Sequence, residues 1–293
     1  MSRTSRDLDG SVVAITGGAR GIGRATAQAC VRAGMRVAIG DLDLAAAQLT
    51  ARELGDGTIA VELDVSNRSS VRRFLDATEE RLGPLDALIN NAGIMHLGRL
   101  VDEDDASTRR QVDINVHGVL HGMKEALPRM TARRRGHVVN IASTAGKAGF
   151  AGAATYSGTK HFVVGASEAV RFELRGSGVE ISCVLPVVVR TELAAGVSKA
   201  RFVDHLEPED VADAIVATLR VPRFEVFVPS HISALMTFAS LLPQRARDGL
   251  ARAMKADAVF TNPDAGARRA YERRAERSEP GLREVSRPPD IGG

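Results

Sequence analysis

Residues 11–23 read Ser11-Val12-Val13-Ala14-Ile15-Thr16-Gly17-Gly18-Ala19-Arg20-Gly21-Ile22-Gly23, and the fold follows from how this stretch is read. A short β-rich run stops at a cluster of glycines, and an amphipathic run to Ala33 follows, closed by Gly34. Strand, glycine turn and helix in that order form a context that binds a dinucleotide. Glycines let the backbone approach a pyrophosphate, and the helix N-terminus offers free N–H groups and the positive end of its dipole. A tight turn without a ligand would look similar. Its place in the first strand–helix unit of an alternating chain favours the ligand.

Outward from this stretch the alternation continues. Strands are expected at 36–41, 58–63, 85–90, 137–142, 179–185 and 225–228. Helices are expected between them, running to Leu54 and over 67–82, 104–133, 155–176 and 208–219, the one at 104–133 broken or bent near its start. Parallel strands need helical crossovers, so seven such strands predict one doubly wound parallel α/β sheet of Rossmann type, helices on both faces, spanning residues 1–229. Beyond Pro229 the composition changes. An apolar run at 231–243 precedes a basic one at 244–256, and the last thirty residues are rich in Arg and Glu and then in Pro and Gly. Residues 230–293 are therefore expected to be a C-terminal extension of the same domain, helical to about Phe260 and over 265–277, then frayed. It would serve as a lid, a subunit contact or a membrane-surface contact through 231–256.

Composition narrows the function. The net charge of +3 is diffuse and, with two tyrosines and no Trp, offers no aromatic-interleaved basic stripe for nucleic acid. Cys30 and Cys183 fall in buried-looking segments and form no CxxC, which suggests a reducing compartment, a cytoplasmic location and no zinc site. The polar first ten residues do not read as a signal peptide, and Ile232 to Pro243 is too short to span a bilayer.

Two further features carry chemistry. Asp41 closes the second strand, where an adenosine ribose should lie. A carboxylate there accepts the ribose hydroxyls and repels a 2′-phosphate by up to about 4 kcal/mol at about 4 Å, which selects NAD over NADP. Arg20 in the glycine turn pulls toward the phosphate. Tyr156 and Lys160, spaced i,i+4, stand on one helix face. An ammonium beside a phenol favours the phenolate, so the Tyr pKa is expected to fall from about 10 toward working pH. Random placement of two Tyr and five Lys gives this spacing about 0.03 times per chain. Because the other 34 basic residues are Arg, a Lys here points to a need for a compact, tunable ammonium.

Together, Thr16-Gly17-x-x-x-Gly21-x-Gly23, Asn90-Asn91-Ala92-Gly93, Asn115, Ser143 and Tyr156-x-x-x-Lys160 resemble the short-chain dehydrogenase/reductase family in its classical subfamily, over about residues 10–229. The resemblance implies that Tyr156 is the catalytic acid/base. It further implies that Ser143 holds the substrate oxygen, that Lys160 grips the nicotinamide ribose, and that Asn115 bends its helix and anchors a water relaying protons to Lys160. Gly17, Arg20, Gly21, Ile22 and Gly23 would bind the cofactor, with Asp64 and Val65 near adenine and Asn90, Asn91, Ala92 and Gly93 on the adenosine side. Val189 and Thr191, in Pro186-Val187-Val188-Val189-Arg190-Thr191, would meet the nicotinamide amide. The family usually has Gly where this chain has Val187, which puts the shape of that loop in question. Phe150, Ala153 and Ala154 would wall the substrate pocket, with Ser143 and Tyr156 touching the substrate.

The expected activity is NAD(H)-dependent interconversion of a secondary alcohol and a ketone, without a metal, on an apolar lipid-, steroid- or retinoid-like substrate, in a homodimer or homotetramer. The alternatives are an NADP(H)-dependent carbonyl or 3-oxoacyl reductase, a dinucleotide-sensing regulator without chemistry, and a peripheral membrane or scaffold protein. His117 and His121 could share a metal but have no evident third ligand, so a helix face or subunit contact is the plainer reading. His96 is read as a solvated loop residue.

Overall fold

The computed structural model describes residues 5–197, 204–254, 259–261 and 263–276. Seven strands form one sheet in the order β3-β2-β1-β4-β5-β6-β7. They are β1 (Val12–Thr16), β2 (Arg36–Asp41), β3 (Thr58–Glu62), β4 (Leu85–Asn90), β5 (Gly136–Ile141), β6 (Val179–Pro186) and β7 (Glu225–Val228). Every neighbouring pair is parallel, so the expected doubly wound Rossmann sheet is present. Each crossover is helical: α1 (Gly21–Arg32), α2 (Leu44–Leu54), α3 (Arg68–Leu82), α4 (Asp105–Val112) continuing into α5 (Gly118–Ala132), α6 (Ala154–Glu173) and α7 (Pro208–Arg220).

Alternation along β1 assigns its residues to two cores. Val13 and Ile15 join α1, α2 and α7 on one face. Val12 and Ala14 join α3, α5 and α6 on the other. Central strands covered on both sides can be apolar throughout, and all five residues of β1 are buried. Each fully buried Leu, Ile or Phe, such as Ile15, Leu88 or Phe74, contributes about 1.5–3 kcal/mol. Helix starts are fixed locally. Asp43 and Asn67 accept backbone N–H groups ahead of α2 and α3, and Glu207 and Asp210 form a reciprocal capping box around Pro208 at the start of α7.

The helical path expected over 104–133 is bent in a particular way: Asp113–His117, which contains Asn115, forms a π-turn between α4 and α5. Such one-turn widenings shift the phase of a helix and re-aim its side chains. Beyond β7 come α8 (Ile232–Leu241), α9 (Gln244–Ala253) and α10 (Ala265–Glu276). The expected fraying after Ser278 lies outside the described residues.

One expectation is corrected by the sheet. The resemblance implies Asn90 on the adenosine side, but register pairs it with Asn140 on β5. Its Nδ2 donates to Asn140 Oδ1 at 2.8 Å, and Asn140 donates in turn to Ser167 Oγ at 2.9 Å. Alternation sends Asn90 beneath the sheet, into a buried polar network closed by α6. Gly122 of α5 lies against it: a Cβ there would be 2.9 Å from Asn90 Nδ2 and closer still to Oδ1. Gly122→Ala is therefore expected to destabilise the fold by about 1–3 kcal/mol, through overpacking far from any cleft. Chemical denaturation checks this, and an unchanged midpoint counts against it.

Candidate functional site

The chain leaves β1 in one direction and enters β4 on the other side, so the strand order reverses between these neighbours. Above the carboxyl ends of the strands at this switch point lies a cleft of about 1810 Å³. One end of it is the glycine turn. Gly17 has φ +63°, and a Cβ there would lie 2.9 Å from Ala92 Cα, so only glycine fits comfortably. Thr16 Oγ1 accepts the N–H groups of Asn91 and Ala92, both at 3.0 Å. Asn91 Nδ2 donates back to the carbonyls of Thr16 at 3.0 Å and Gly17 at 2.9 Å. The turn is thereby bolted to the segment after β4. Arg20, the N-cap of α1, provides no side-chain cap, and the first turn holds no acid. Its leading N–H groups remain for an outside acceptor.

Asp41 stands at the same end. Its carboxylate accepts N–H groups from Ala19 at 3.0 Å and Asp43 at 3.1 Å. Burial holds its pKa above the usual carboxylate value, with those two hydrogen bonds pulling the other way. Arg20, the residue that would favour a 2′-phosphate, donates to Asp43 Oδ2 at 2.6 Å, and this bond in turn lowers the Asp43 pKa. Ile22, Gly21 and Thr191 line the cleft beside it. Asp64 is held by Ser66, which donates both N–H and Oγ–H to its Oδ1 at 2.9 and 2.6 Å. Val65 follows it on the cleft wall and packs on Gly118.

At the other end, α6 presents Tyr156 and Lys160 one turn apart, 7% and 6% exposed. Lys160 Nζ lies 5.7 Å from the Tyr156 ring centroid and donates to the Ile141 carbonyl at 2.9 Å. Ser143, just beyond β5, stands close enough to the Tyr156 phenol to pull its pKa down and accepts the Ala145 N–H at 3.1 Å. The expected fall of the Tyr156 pKa is not found. Burial raises it well above the ordinary phenol value, and Ser143 opposes this only partly. The same burial acts on the cation, bringing Lys160 down to about 8. Within the protein alone, desolvation sets the direction of both shifts.

Gly17, Arg20, Gly21, Ile22, Asp41, Asp64 and Val65 thus meet Asn91, Ala92, Gly93, Ser143, Phe150, Tyr156, Lys160, Val189 and Thr191 around one cleft. Gly23, Asn115 and Ala153 stand behind its wall. Gly23 is the floor under the turn, where a Cβ would be 2.7 Å from Asn91 Nδ2. Ala153 is 2% exposed within the apolar cluster that supports Tyr156. Asn115 is fully buried. Its Oδ1 accepts the Ile94 N–H at 2.9 Å, and its Nδ2 donates to the Ile94 carbonyl at 2.8 Å and to Thr159 Oγ1 at 3.1 Å. With both amide hydrogens engaged, the side chain ties the π-turn to the loop after β4 and to α6. Val187 needs no glycine-like backbone, since Arg134 alone among the described non-glycine residues has positive φ. Its N–H donates to the Val228 carbonyl at 3.0 Å.

His117 and His121 stack at 6.2 Å, and His121 Nδ1 lies 2.9 Å from the Val65 carbonyl. Among the described residues no cluster of three metal-ligating side chains occurs. His96, half-buried, is not part of the cleft lining. A lid was one of the readings of the extension, and what sequence reading missed were the residues by which it walls the cleft. Phe260 meets Phe150 edge-to-face at 5.5 Å, Leu235 and Met236 of α8 border the opening, and Tyr271 and Arg274 project from α10. The signal available for Tyr271 was its rarity.

A family model for short chain dehydrogenases matches residues 11–201. The chain belongs to the short-chain dehydrogenase/reductase family. It is 40% identical over 199 residues to "Sorbitol dehydrogenase" of Cereibacter sphaeroides, with 68% of this chain and 77% of that one covered. It is 35% identical over 228 residues, 74% of its own length, to "Glycine betaine reductase ATRR" of Emericella nidulans, of which it spans only 18%. A crystal structure of a short chain dehydrogenase/reductase from Burkholderia phymatum in complex with NAD superimposes with a TM-score of 0.74 at 29% identity, over 79% of this chain and 93% of the other. This short-chain dehydrogenase is thus an oxidoreductase with a nucleotide-binding Rossmann sheet.

The buried Lys160 makes stability depend on pH. The folded chain releases this proton near pH 8, while the unfolded chain holds it to about 10.5. In that window the unfolded state binds more protons, so the destabilisation is full below pH 8 and is lifted as pH rises. Relative to Lys160→Met, the unsubstituted short-chain dehydrogenase is expected to gain about 1 kcal/mol between about pH 7 and 9. Denaturant unfolding of both proteins at the two pH values checks this; parallel behaviour counts against it.

Proposed function

We propose that this chain is an NAD(H)-dependent oxidoreductase that interconverts a secondary alcohol and a ketone on a largely apolar substrate. The observation that carries the reading is a single cleft with Tyr156, Ser143 and Lys160 at one end and the glycine turn with Asp41 at the other. The residues present fit a dinucleotide. Gly17 and Gly21 keep the turn open toward the cleft where a side chain would meet Ala92 or Thr191, and the uncapped start of α1 offers N–H donors to a pyrophosphate. Asp41, fixed by its two backbone N–H groups, supports ribose hydroxyls as its ligands. Arg20 would favour the NADP(H) alternative, but its charge is answered by Asp43.

When bound, the nicotinamide supplies or accepts the hydride. The chain's own residues handle the proton. Ser143 orients the substrate oxygen toward the Tyr156 phenol, and the phenol gives its proton to a ketone oxygen or takes one from an alcohol. Because burial keeps the phenol protonated, the resting protein is poised for reduction, and oxidation should gain with rising pH. Lys160 would hold the cofactor ribose. Apolar side chains of Met95, Phe150, Leu193 and Phe260 surround this end, which supports an apolar substrate. The extension, as the wall of the cleft, belongs to the same domain as residues 1–229.

Reduction of a ketone panel followed at the reduced-nicotinamide absorbance tests this. Tyr156→Phe is expected to lower kcat by about 10² to 10⁴-fold while NADH binding, read by fluorescence, stays within about twofold. Full turnover in that variant would remove the proposed mechanism. Asp41→Asn is expected to raise the NADPH-to-NADH ratio of kcat/KM by about tenfold or more, since removing the charge removes the repulsion. An unchanged ratio would move cofactor choice elsewhere.

A further inference from the structure

Only two tyrosines occur in the chain, and both stand in this cleft. Tyr156 lies at its floor, whereas Tyr271 projects from α10 in the wall made by the extension. Its position is built rather than incidental. The Met95 N–H donates to Tyr271 Oη at 2.8 Å, and the Arg268 guanidinium lies 5.1 Å from the ring centroid. Arg268 itself is 1% exposed. Its Nη2 donates to the Met95 carbonyl at 2.8 Å, its Nη1 to the carbonyls of Leu193 at 3.3 Å and Ala195 at 3.2 Å, and its Nε to Glu272 at 3.1 Å. One buried cation therefore ties the helix to both loops that frame the cleft, the one after β4 and the one after β6.

A phenol oxygen can accept and also donate. The Met95 bond uses the acceptor side and fixes the oxygen. The hydroxyl hydrogen has no acceptor among the described residues. Burial lifts the Tyr271 pKa to about 12, so this group stays a donor over the whole working range. The groups held against it, the Met95 N–H and the Arg268 guanidinium, are themselves donors, so the hydroxyl hydrogen is left to an outside acceptor.

We propose that Tyr271 is a specificity-determining residue: its hydroxyl donates to a second oxygen of the substrate, and Arg268 is the positioning residue that holds it there. The cleft then selects ketones and secondary alcohols that carry a further hydroxyl, carbonyl or ether oxygen away from the reacting carbon. Tyr156 acts on the reacting oxygen and Tyr271 on the remote one. The inference rests on the oxidoreductase reading above.

The test compares reduction of a plain methyl ketone with hydroxyketones of the same skeleton, the hydroxyl placed at successive carbons from the carbonyl. The unsubstituted protein is expected to show a lower KM for at least one hydroxyketone than for the plain ketone. In Tyr271→Phe that KM should rise about tenfold, equivalent to about 1.4 kcal/mol, while kcat and the plain ketone's KM stay within about twofold. Arg268→Met should raise the KM of that hydroxyketone more than that of the plain ketone, because Tyr271 is no longer held in place. No initial preference, or an equal change for both ketones in Tyr271→Phe, would overturn the role of Tyr271, and an equal change for both in Arg268→Met would overturn that of Arg268; either leaves the oxidoreductase reading standing. Failure of the unsubstituted protein to reduce any ketone with either cofactor would sink that reading and this inference with it.

Discussion

The hydrogen bond from the Lys160 ammonium to the Ile141 carbonyl is the contact on which the architecture converges. A cation removed from water is tolerated only when its hydrogens find acceptors. Here the acceptor is the last residue of β5, so the helix that carries Tyr156 is pinned to the end of a central strand. The turn at Thr144–Gly146 presses onto the same spot, since a Cβ on Gly146 would lie 2.6 Å from the Lys160 carbonyl oxygen. Gly93, from the loop after β4, leaves room beside Nζ. Sheet end, helix and two loops are fixed around one ammonium, and its lowered proton affinity is the thermodynamic trace of that confinement.

A second set of bonds does for the glycine-turn end of the cleft what Lys160 does for the Tyr156 end. Four hydrogen bonds join Thr16 and Gly17 to Asn91 and Ala92 across the switch point, tying together the two strands between which the chain reverses direction. The carboxyl ends of a parallel sheet would otherwise be a row of independent loops. Asp43 extends this economy. It caps α2 through the Ala46 N–H and neutralises Arg20, which leaves Asp41 as the carboxylate facing the cleft beside the glycine turn.

What could be read in the chain without coordinates follows from how local each signal is. Strand and helix periods are written in neighbouring residues, so the seven strands and their crossovers were legible, and the spacing of Tyr156 and Lys160 placed them on one helical face. Their protonation was not, because burial by residues distant in sequence sets the larger effect. Asn90 and Asn91 are adjacent and identical in type, yet alternation sends one under the sheet and the other to the glycine turn. That division became definite only when register set Asn90 opposite Asn140. The π-turn around Asn115 was visible only as a break. Beyond an i,i+4 glutamate and the rarity of tyrosine, Arg268 and Tyr271 gave no local sign, since their other partners are Met95, Leu193 and Ala195.

The chain has 34 arginines and five lysines, and the two buried cations described here show the difference in use. At residue 268 the task is to reach carbonyls from two separate loops at once. A planar fork with five donors can do that and stays charged at any working pH. An ammonium there would have too few directions and would lose its proton on burial. At residue 160 the requirement is reversed. A compact group whose pKa moves with its surroundings can sit beside a phenol and respond to what binds there. Each substituted for the other would fail for opposite reasons: a lysine clamp would neutralise, and a guanidinium beside Tyr156 could not yield its proton. The residue types are thus dictated by burial together with the number of acceptors each site provides.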